Sequence, residues 1–149
     1  MYRTVLLAYD GSEEGRLALR EGARLAQITG AAVCLLAVVD LSTGIAMGGT
    51  AGPGAAEHQI NDYQAVLDAG VARLAKMGFS PTSRLETGDP AERICAIANQ
   101  IRADLVVIGH RQQGPVSRWF HNSVAVYVMD HLDCSVLVAR KEVSDDMLM

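Results

Sequence analysis

The sequence is poor in residues that bind metals or form disulfide bonds. Its 149 residues include three cysteines and four histidines. The cysteines are odd in number and lack C-x-x-C spacing, which argues against a disulfide framework or a zinc knuckle. The histidines lack the H-x-x-x-H and H-E-x-x-H spacings that place two imidazoles on one helical face. The residues are Cys34, Cys95, Cys134, His58, His110, His121 and His131. We therefore expect no metal site and expect the cysteines to act as small buried hydrophobic residues.

Concentrated positive charge and long apolar runs are also lacking. The formal net charge is -4, and no stretch is rich in lysine and arginine. Nucleic acids and anionic membranes both require concentrated positive potential, so neither is an expected partner. No apolar run approaches the roughly 20 residues that a membrane helix needs, and the N-terminus leads directly into a predicted strand. These features predict a soluble cytoplasmic protein.

Three common catalytic motifs are absent. The sequence has no G-x-S-x-G elbow, no G-x-x-x-x-G-K-S/T loop, and no G-x-G-x-x-G after the first predicted strand. Their absence weakens the interpretation as an esterase, a kinase or GTPase, or a dinucleotide-binding enzyme. Ser12 also lacks an identifiable general base. We therefore assign no catalytic residue.

Short apolar runs alternate with helical patterns along the chain. Half of the residues are hydrophobic, enough for one domain with a sizeable core, over residues 1–141. Strands are predicted at 4–9, 32–39, 82–87, 104–108 and 135–139, and a helical pattern follows each of the first four. The last of these helices is predicted over 118–132. Such alternation predicts an open parallel sheet with helices on both faces.

Local signals mark where the helices begin and end. Ser12 and Asp89 are predicted N-caps, with Pro90 at the first helical position, and Gly30 and Gly78 are predicted to end the first two helices. The segment 42–56 is rich in glycine and alanine without periodicity, which predicts a flexible loop, either a lid or disordered. Residues 142–149 form a tail without an assignment.

The stretch 105–123 has the pattern of an anion-binding unit. An apolar run ends on Gly109, a polar loop containing glycine follows, and a helical pattern begins near Arg118. Such strand-loop-helix units offer backbone N–H groups to anions. Ligands of open parallel sheets bind beyond the carboxyl ends of the strands. Asp10, Asp40, Gly88 and Gly109 follow the first four predicted strands, so we expect a small-molecule site among them.

Three segments together resemble the universal stress protein family. They are Val-Leu-Leu-Ala-Tyr-Asp-Gly-Ser at 5–12, Gly-Asp-Pro at 88–90 and Ser-Val-Leu-Val-Ala-Arg at 135–140. The resemblance implies a Rossmann-like five-stranded parallel sheet in the order 3-2-1-4-5. It also implies a cytoplasmic role in stress survival and a homodimer formed by the last strands, with Val136, Leu137 and Val138 at the interface. An apolar edge strand is an aggregation liability unless it is paired, which agrees with such an interface.

The family contains a branch that binds ATP through a G-2x-G-9x-G-S/T motif. Aligned without a gap, this motif falls on Gly109, Gln112, Asn122 and Ser123, so the first glycine and the hydroxyl residue match. The aspartate after the first strand and the backbone contact at the end of the second correspond to Asp10 and Val39. The remaining predicted nucleotide-binding residues belong to the loop and the helix start: Arg111, Gly114 and Arg118.

Two departures from the motif leave two functions open. Asn adopts left-handed backbone conformations more readily than other non-glycine residues, so Asn122 is a mild replacement. Gln112 places a long side chain where phosphates would lie. The first interpretation is a stress-response dimer that binds ATP or another adenine nucleotide in a modified site, with Mg²⁺ only alongside nucleotide and at most slow ATP hydrolysis. The second is a dimeric protein-interaction module of the branch that binds no nucleotide.

Three candidate residues keep an alternative structural role. Asp10 contacts the nucleotide or forms a turn with the two residues that follow it. Ser123 contacts a phosphate or caps a helical turn. Arg118 clamps a phosphate through its planar guanidinium, or the loop around it is simply a solvated basic loop.

Overall fold

The computed structural model describes residues 1–41, 54–109 and 121–139, except for the side chains of 13, 14 and 121–123. In this part of the chain five strands alternate with four helices. The strands are β1 (Thr4–Ala8), β2 (Ala32–Val39), β3 (Thr82–Thr87), β4 (Leu105–Gly109) and β5 (Ser135–Ala139). The helices are α1 (Glu13–Thr29), α2 (Ala55–Lys76), α3 (Pro90–Gln100) and α4 (His121–His131).

The strands form one sheet in the order β3-β2-β1-β4-β5, and every neighbouring pair is parallel. This confirms the predicted fold class and the strand order that the resemblance implied. Val5, Leu6 and Leu7 of the central strand are at most 1% exposed. Strands buried on both faces read as continuous apolar runs, which explains why β1, β2 and β4 were recognisable from the sequence.

Two hydrophobic clusters cover the two faces of the sheet. Because successive side chains of a strand point to opposite faces, Val5 and Leu7 contribute to one cluster and Leu6 contributes to the other. The first cluster includes residues of α1 and α2, and the second includes residues of α3 and α4. The sheet is therefore the middle layer of three, with helices on both faces as predicted.

The predicted caps of α1 and α3 are confirmed. The Ser12 hydroxyl oxygen accepts a hydrogen bond from the Gly15 N–H at 3.0 Å, and Gly30 ends α1 with a φ of 71°. The Asp89 carboxylate accepts a hydrogen bond from the Glu92 N–H at 3.0 Å, directly before Pro90. The helices therefore begin and end where the local sequence specifies, since each cap satisfies a backbone group that has no partner within the helix.

The end of α2 has the two hydrogen bonds of a Schellman motif. Gly78 has a φ of 93°, and its N–H donates to the Ala75 carbonyl oxygen at 3.0 Å. The Phe79 N–H donates to the Leu74 carbonyl oxygen at 3.0 Å. Glycine is favoured at this position because its left-handed backbone is strained for residues with a Cβ atom. The prediction that Gly78 ends this helix is confirmed.

Several predicted boundaries are wrong by one or two residues: β1 ends at Ala8 rather than at 9, β4 starts at Leu105 rather than at 104, and α4 ends at His131 rather than at 132. The helix α2 begins at Ala55, inside the predicted loop, because Gly54 has a φ of 90° and alanine favours helix. Its first turn is exposed and so carries no apolar periodicity. The strand β4 extends to Gly109, which pairs with Ala139. Predictions for segments 42–53, 110–120 and 140–149, including the lid, the helix start at Arg118 and the tail, lie outside the described residues.

Asp104 fastens the start of β1 to the start of β4. Its carboxylate accepts hydrogen bonds from the Arg3 N–H at 2.8 Å and the Thr4 N–H at 3.0 Å. Partial burial acts to raise the pKa of Asp104, but these N–H groups and the positive N-terminus outweigh it and lower the pKa below its ordinary value. The charged carboxylate therefore stabilises the folded state.

Replacing this carboxylate should make the protein less stable at neutral pH. Asp104→Asn is expected to lower the free energy of unfolding by about 1 kcal/mol at pH 7, a value discounted for exposure. Because the folded pKa is lowered, the contribution is present above the unfolded value of about 4 and is lost as the pH falls through the folded value. Urea unfolding at several pH values measures this. Asp130→Asn, at an exposed site on α4, is the matched control. An equal loss at pH 7 and at pH 2 would contradict the assignment.

Candidate functional site

The predicted site residues meet at the carboxyl edge of the sheet. Asp10 directly follows Tyr9 beyond β1, Asp40 follows β2, and Gly109 ends β4, and these three strands are neighbours. Each helix that follows a parallel strand begins at the same edge, so the N-termini of all four described helices face it. Helix N-termini carry partial positive charge and free N–H groups. The edge therefore offers a polar environment suited to an anionic ligand.

Asp10 is held by the turn that follows it. It is 8% exposed, and its Oδ1 atom accepts hydrogen bonds from the Ser12 N–H at 2.9 Å and from the Ser12 hydroxyl. Ser12 in turn caps α1 through the Gly15 N–H. The structural turn proposed from the sequence is thus present at Oδ1. It fixes the carboxylate at the sheet edge and leaves the assignment of a ligand contact as a prediction.

Gly15 is a site residue that the sequence reasoning missed. A Cβ atom at this position would lie 2.7 Å from Asp10 Oδ1 and 3.1 Å from the Ser12 hydroxyl oxygen. Such a distance is shorter than van der Waals contact allows, so only glycine lets α1 start this close to the Asp10 carboxylate. No local signal marked Gly15, because its role follows only from the distance to Asp10.

The end of β2 is fixed from both sides. The Val39 carbonyl oxygen accepts a hydrogen bond from the Gly88 N–H at 3.0 Å, and the Asp40 carbonyl oxygen accepts one from Gln59 Nε2 at 3.2 Å. A carbonyl oxygen has two lone pairs, so the Val39 backbone keeps acceptor capacity. Gln59 is a second residue that sequence reasoning missed, since it lies on a mostly exposed part of α2 and carries no periodic or motif signal.

The predicted phosphate loop is described only at its two ends. Gly109 is half-buried and adjoins the β1 side of the site, and Asn122 and Ser123 lie in the first turn of α4. Their side chains are not described. Four further predicted nucleotide-binding residues lie outside the described part of the chain: Arg111, Gln112, Gly114 and Arg118. The contacts predicted for these seven residues stay predictions.

The thiol groups lie among apolar side chains. Cys34 and Cys95 are buried, as predicted, whereas Cys134 is only half-buried. Burial raises the pKa of the Cys95 thiol, and the neighbouring Cys134 adds to the effect. Burial also raises the pKa of Cys134, with Asp104 and Asp133 contributing against a backbone hydrogen bond. Thiols shifted in this direction are poor nucleophiles.

Within residues 1–41, 54–109 and 121–139 there is no group of three or more metal-binding side chains. In the same part of the chain, no helix has the length and apolar character needed to cross a membrane.

Comparison with known proteins identifies relatives over nearly the whole chain. The model of the Universal stress protein family matches residues 1–140. A putative universal stress protein of Staphylococcus aureus is 30% identical over 149 residues, covering 95% of this chain and 86% of the relative. The universal stress protein Sll1654 of Synechocystis is 29% identical over 141 residues, covering 93% of this chain and 85% of the relative.

Solved structures share the fold at lower identity. The hypothetical protein MJ0577 superposes with a TM-score of 0.79 at 22% identity, covering 97% of this chain and 99% of that one. A universal stress protein in complex with cAMP has a TM-score of 0.70 at 19% identity, with coverages of 95% and 99%. The Archaeoglobus fulgidus protein in complex with dAMP has a TM-score of 0.68 at 20% identity, with coverages of 93% and 98%.

Proposed function

Because the chain belongs to the universal stress protein family, we propose that it is a cytoplasmic, homodimeric stress-response protein that binds an adenine nucleotide, ATP or a relative of it, at the carboxyl edge of the sheet. The observation that carries the proposal is the position of Asp10, Val39 and Gly109 at the ends of three neighbouring strands. Structurally similar universal stress proteins in complex with cAMP or dAMP support an adenine nucleotide as the ligand.

Each part of a nucleotide is proposed to contact the end of a different strand. The Val39 carbonyl oxygen, which accepts from the Gly88 N–H and keeps a further lone pair, suits a hydrogen bond from a base without side-chain entropy cost. Asp10, just beyond the end of the neighbouring strand β1, suits the hydroxyl groups of a ribose. Gly109 and the start of α4 suit phosphates, which N–H groups at helix starts stabilise. Any Mg²⁺ would be held largely by the phosphates, since such ions combine few carboxylates with phosphate oxygens and water.

A second function is favoured by two observations. Asp10 Oδ1 already bonds two groups of Ser12, and Gln112 replaces a glycine of the phosphate motif. If these two features together close the nucleotide site, the dimer acts through contacts with other proteins rather than through a nucleotide. Titration of nucleotide-stripped protein with ATP, ADP and AMP in a calorimeter separates the two functions. A heat of binding that saturates at one nucleotide per chain supports the nucleotide site. The absence of any heat of binding supports the function as a protein-interaction module.

Restoring both glycines of the motif should strengthen nucleotide binding. Gln112→Gly with Asn122→Gly is expected to raise ATP affinity about tenfold or more, because glycine removes a bulky side chain and permits close approach of the backbone. The same calorimetric titration measures it. The control is Gln64→Gly on an exposed face of α2, which should leave affinity unchanged. Equal ATP affinity in the double variant and the natural protein would mean that the motif does not govern binding.

A further inference from the structure

The two edge strands of the sheet differ in chemistry. Among the described strands, β3 and β5 have a neighbour on one side only. The sequence of β5 is Ser-Val-Leu-Val-Ala, whereas that of β3 is Thr-Ser-Arg-Leu-Glu-Thr. An edge strand presents N–H and C=O groups that can pair with another chain, so its side chains decide whether pairing is favourable. The apolar edge and the charged edge therefore have opposite tendencies toward pairing.

Charged side chains of β3 form a cluster with α3. The Glu86 atom Oε1 accepts hydrogen bonds from Arg84 Nη2 and Arg93 Nη2, each at 3.3 Å. Arg84 Nη1 also donates to Gln100 Oε1 at 3.0 Å. The side chains of Arg84, Glu86 and Arg93 are 33%, 24% and 38% exposed. We call these three residues the β3 charge cluster, which lies on the α3 face of the sheet and is already about two-thirds withdrawn from water.

The β3 charge cluster interrupts an otherwise apolar face. In the pairing of β2 with β3, Leu36 lies opposite Arg84 and Val38 lies opposite Glu86. Leu36 and Val38 are both fully buried in the hydrophobic cluster beneath α3. One strand further out, the same face carries an arginine and a glutamate. The character of the face thus changes from apolar to charged within one strand spacing, at the position where the sheet ends.

A further strand paired with β3 would cover charged side chains that are still partly hydrated. Two guanidinium groups share one carboxylate, which leaves surplus positive charge. Arg93 Nε is buried and has no hydrogen-bond partner among the described residues. Covering the remaining exposed quarter to third of these side chains would remove their hydration without supplying another anion, which is strongly unfavourable. Charged residues that point onto the sheet face are a known protection of edge strands.

We propose that the β3 charge cluster keeps the β3 edge from pairing with a second copy of this chain, so that association by sheet extension is restricted to β5. Pairing through one edge closes at two copies, whereas pairing through both edges produces open-ended chains. The limit to two copies rests on the proposed dimer. The block at β3 does not depend on it.

The test replaces the cluster with residues that favour strands. Arg84→Val with Glu86→Val is expected to add a pairing edge, so that the weight-average mass at about 100 μM rises at least twofold above that of the natural protein. Sedimentation velocity over a concentration series measures it, with circular dichroism to confirm folding. Glu21→Val with Arg24→Val, on the exposed face of α1, removes the same charges from a helix surface rather than from an edge strand. This control should keep the natural mass.

Combining the variant with Val138→Asp separates the two interfaces. If β5 forms the natural dimer, Arg84→Val/Glu86→Val should form open-ended oligomers. Adding Val138→Asp to this variant should then leave only dimers that pair through β3. If the natural protein is a monomer, the proposed β5 dimer is wrong, and the β3 variant alone should still dimerise. The milder pair Arg84→Thr/Glu86→Thr serves if the valine pair fails to fold. Natural mass in every folded β3 variant, or equal growth in the α1 control, would overturn the proposal.

Discussion

Val138→Asp is expected to dissociate the proposed dimer, weakening self-association by about a thousandfold. Val138 lies in the edge strand β5 and is half-buried in the single chain. In a symmetric interface each substitution occurs twice, and a buried carboxylate without a partner costs about 2–5 kcal/mol. Two such costs come to about 4–10 kcal/mol, and roughly 4 kcal/mol corresponds to three powers of ten in the dissociation constant.

Sedimentation equilibrium of the natural protein and the variant measures this effect. Ile28→Asp is the matched control, because Ile28 is an apolar residue of the helix α1, outside the sheet, and is 82% exposed. It should leave the dimer intact. Thermal unfolding verifies that the Val138→Asp chain is folded. A folded variant that dimerises as strongly as the natural protein would show that β5 is not the interface.

Leu7→Ala and Gly22→Ala are each expected to destabilise the protein, and the double variant should lose less than the sum. Leu7 is 1% exposed, and its truncation should lower the free energy of unfolding by about 2–5 kcal/mol. A Cβ atom at Gly22 would lie 2.3 Å from Leu7 Cδ2 and 3.1 Å from Val107 Cγ2. The added methyl should therefore cost about 1–3 kcal/mol, although alanine favours a helix.

The double variant tests the contact itself. Leu7→Ala removes the methyl group that the new Cβ would meet, so the combined loss should fall short of the sum by more than about 1 kcal/mol. Urea unfolding at pH 7 gives each value. Glu21→Ala, at the exposed neighbouring position, should change stability by no more than about 0.5 kcal/mol. Additive losses would mean that α1 does not pack on β1 through Gly22.

The candidate site was predictable from the sequence to the extent that its residues follow apolar runs. Asp10, Val39 and Gly109 could be located because each ends or follows a strand whose burial produces a continuous apolar pattern. Gln59 and Gly15 could not. Their roles come from distances to Asp40 and Asp10, and neither residue differs in local pattern from an ordinary position in the first turns of a helix.

The sequence by itself determined the order of strands and helices and most of their ends. Ser12, Gly30, Gly78 and Asp89 act within a few residues, so their effect can be read locally. Strand order is a different matter, because five similar apolar runs can be arranged in several ways; the order came from the family resemblance and was confirmed by the sheet.

Only the tertiary structure decided which distant residues meet. Asp104 binds the Arg3 N–H across 101 positions of the chain, and Glu86 joins Arg84 to Arg93 only because α3 lies over β3. Such contacts depend on strand register and helix placement, which hydrophobic packing of the whole chain fixes at once. The sequence therefore specified the elements, whereas the packed sheet decided that one edge carries an ion cluster and the other an apolar strand.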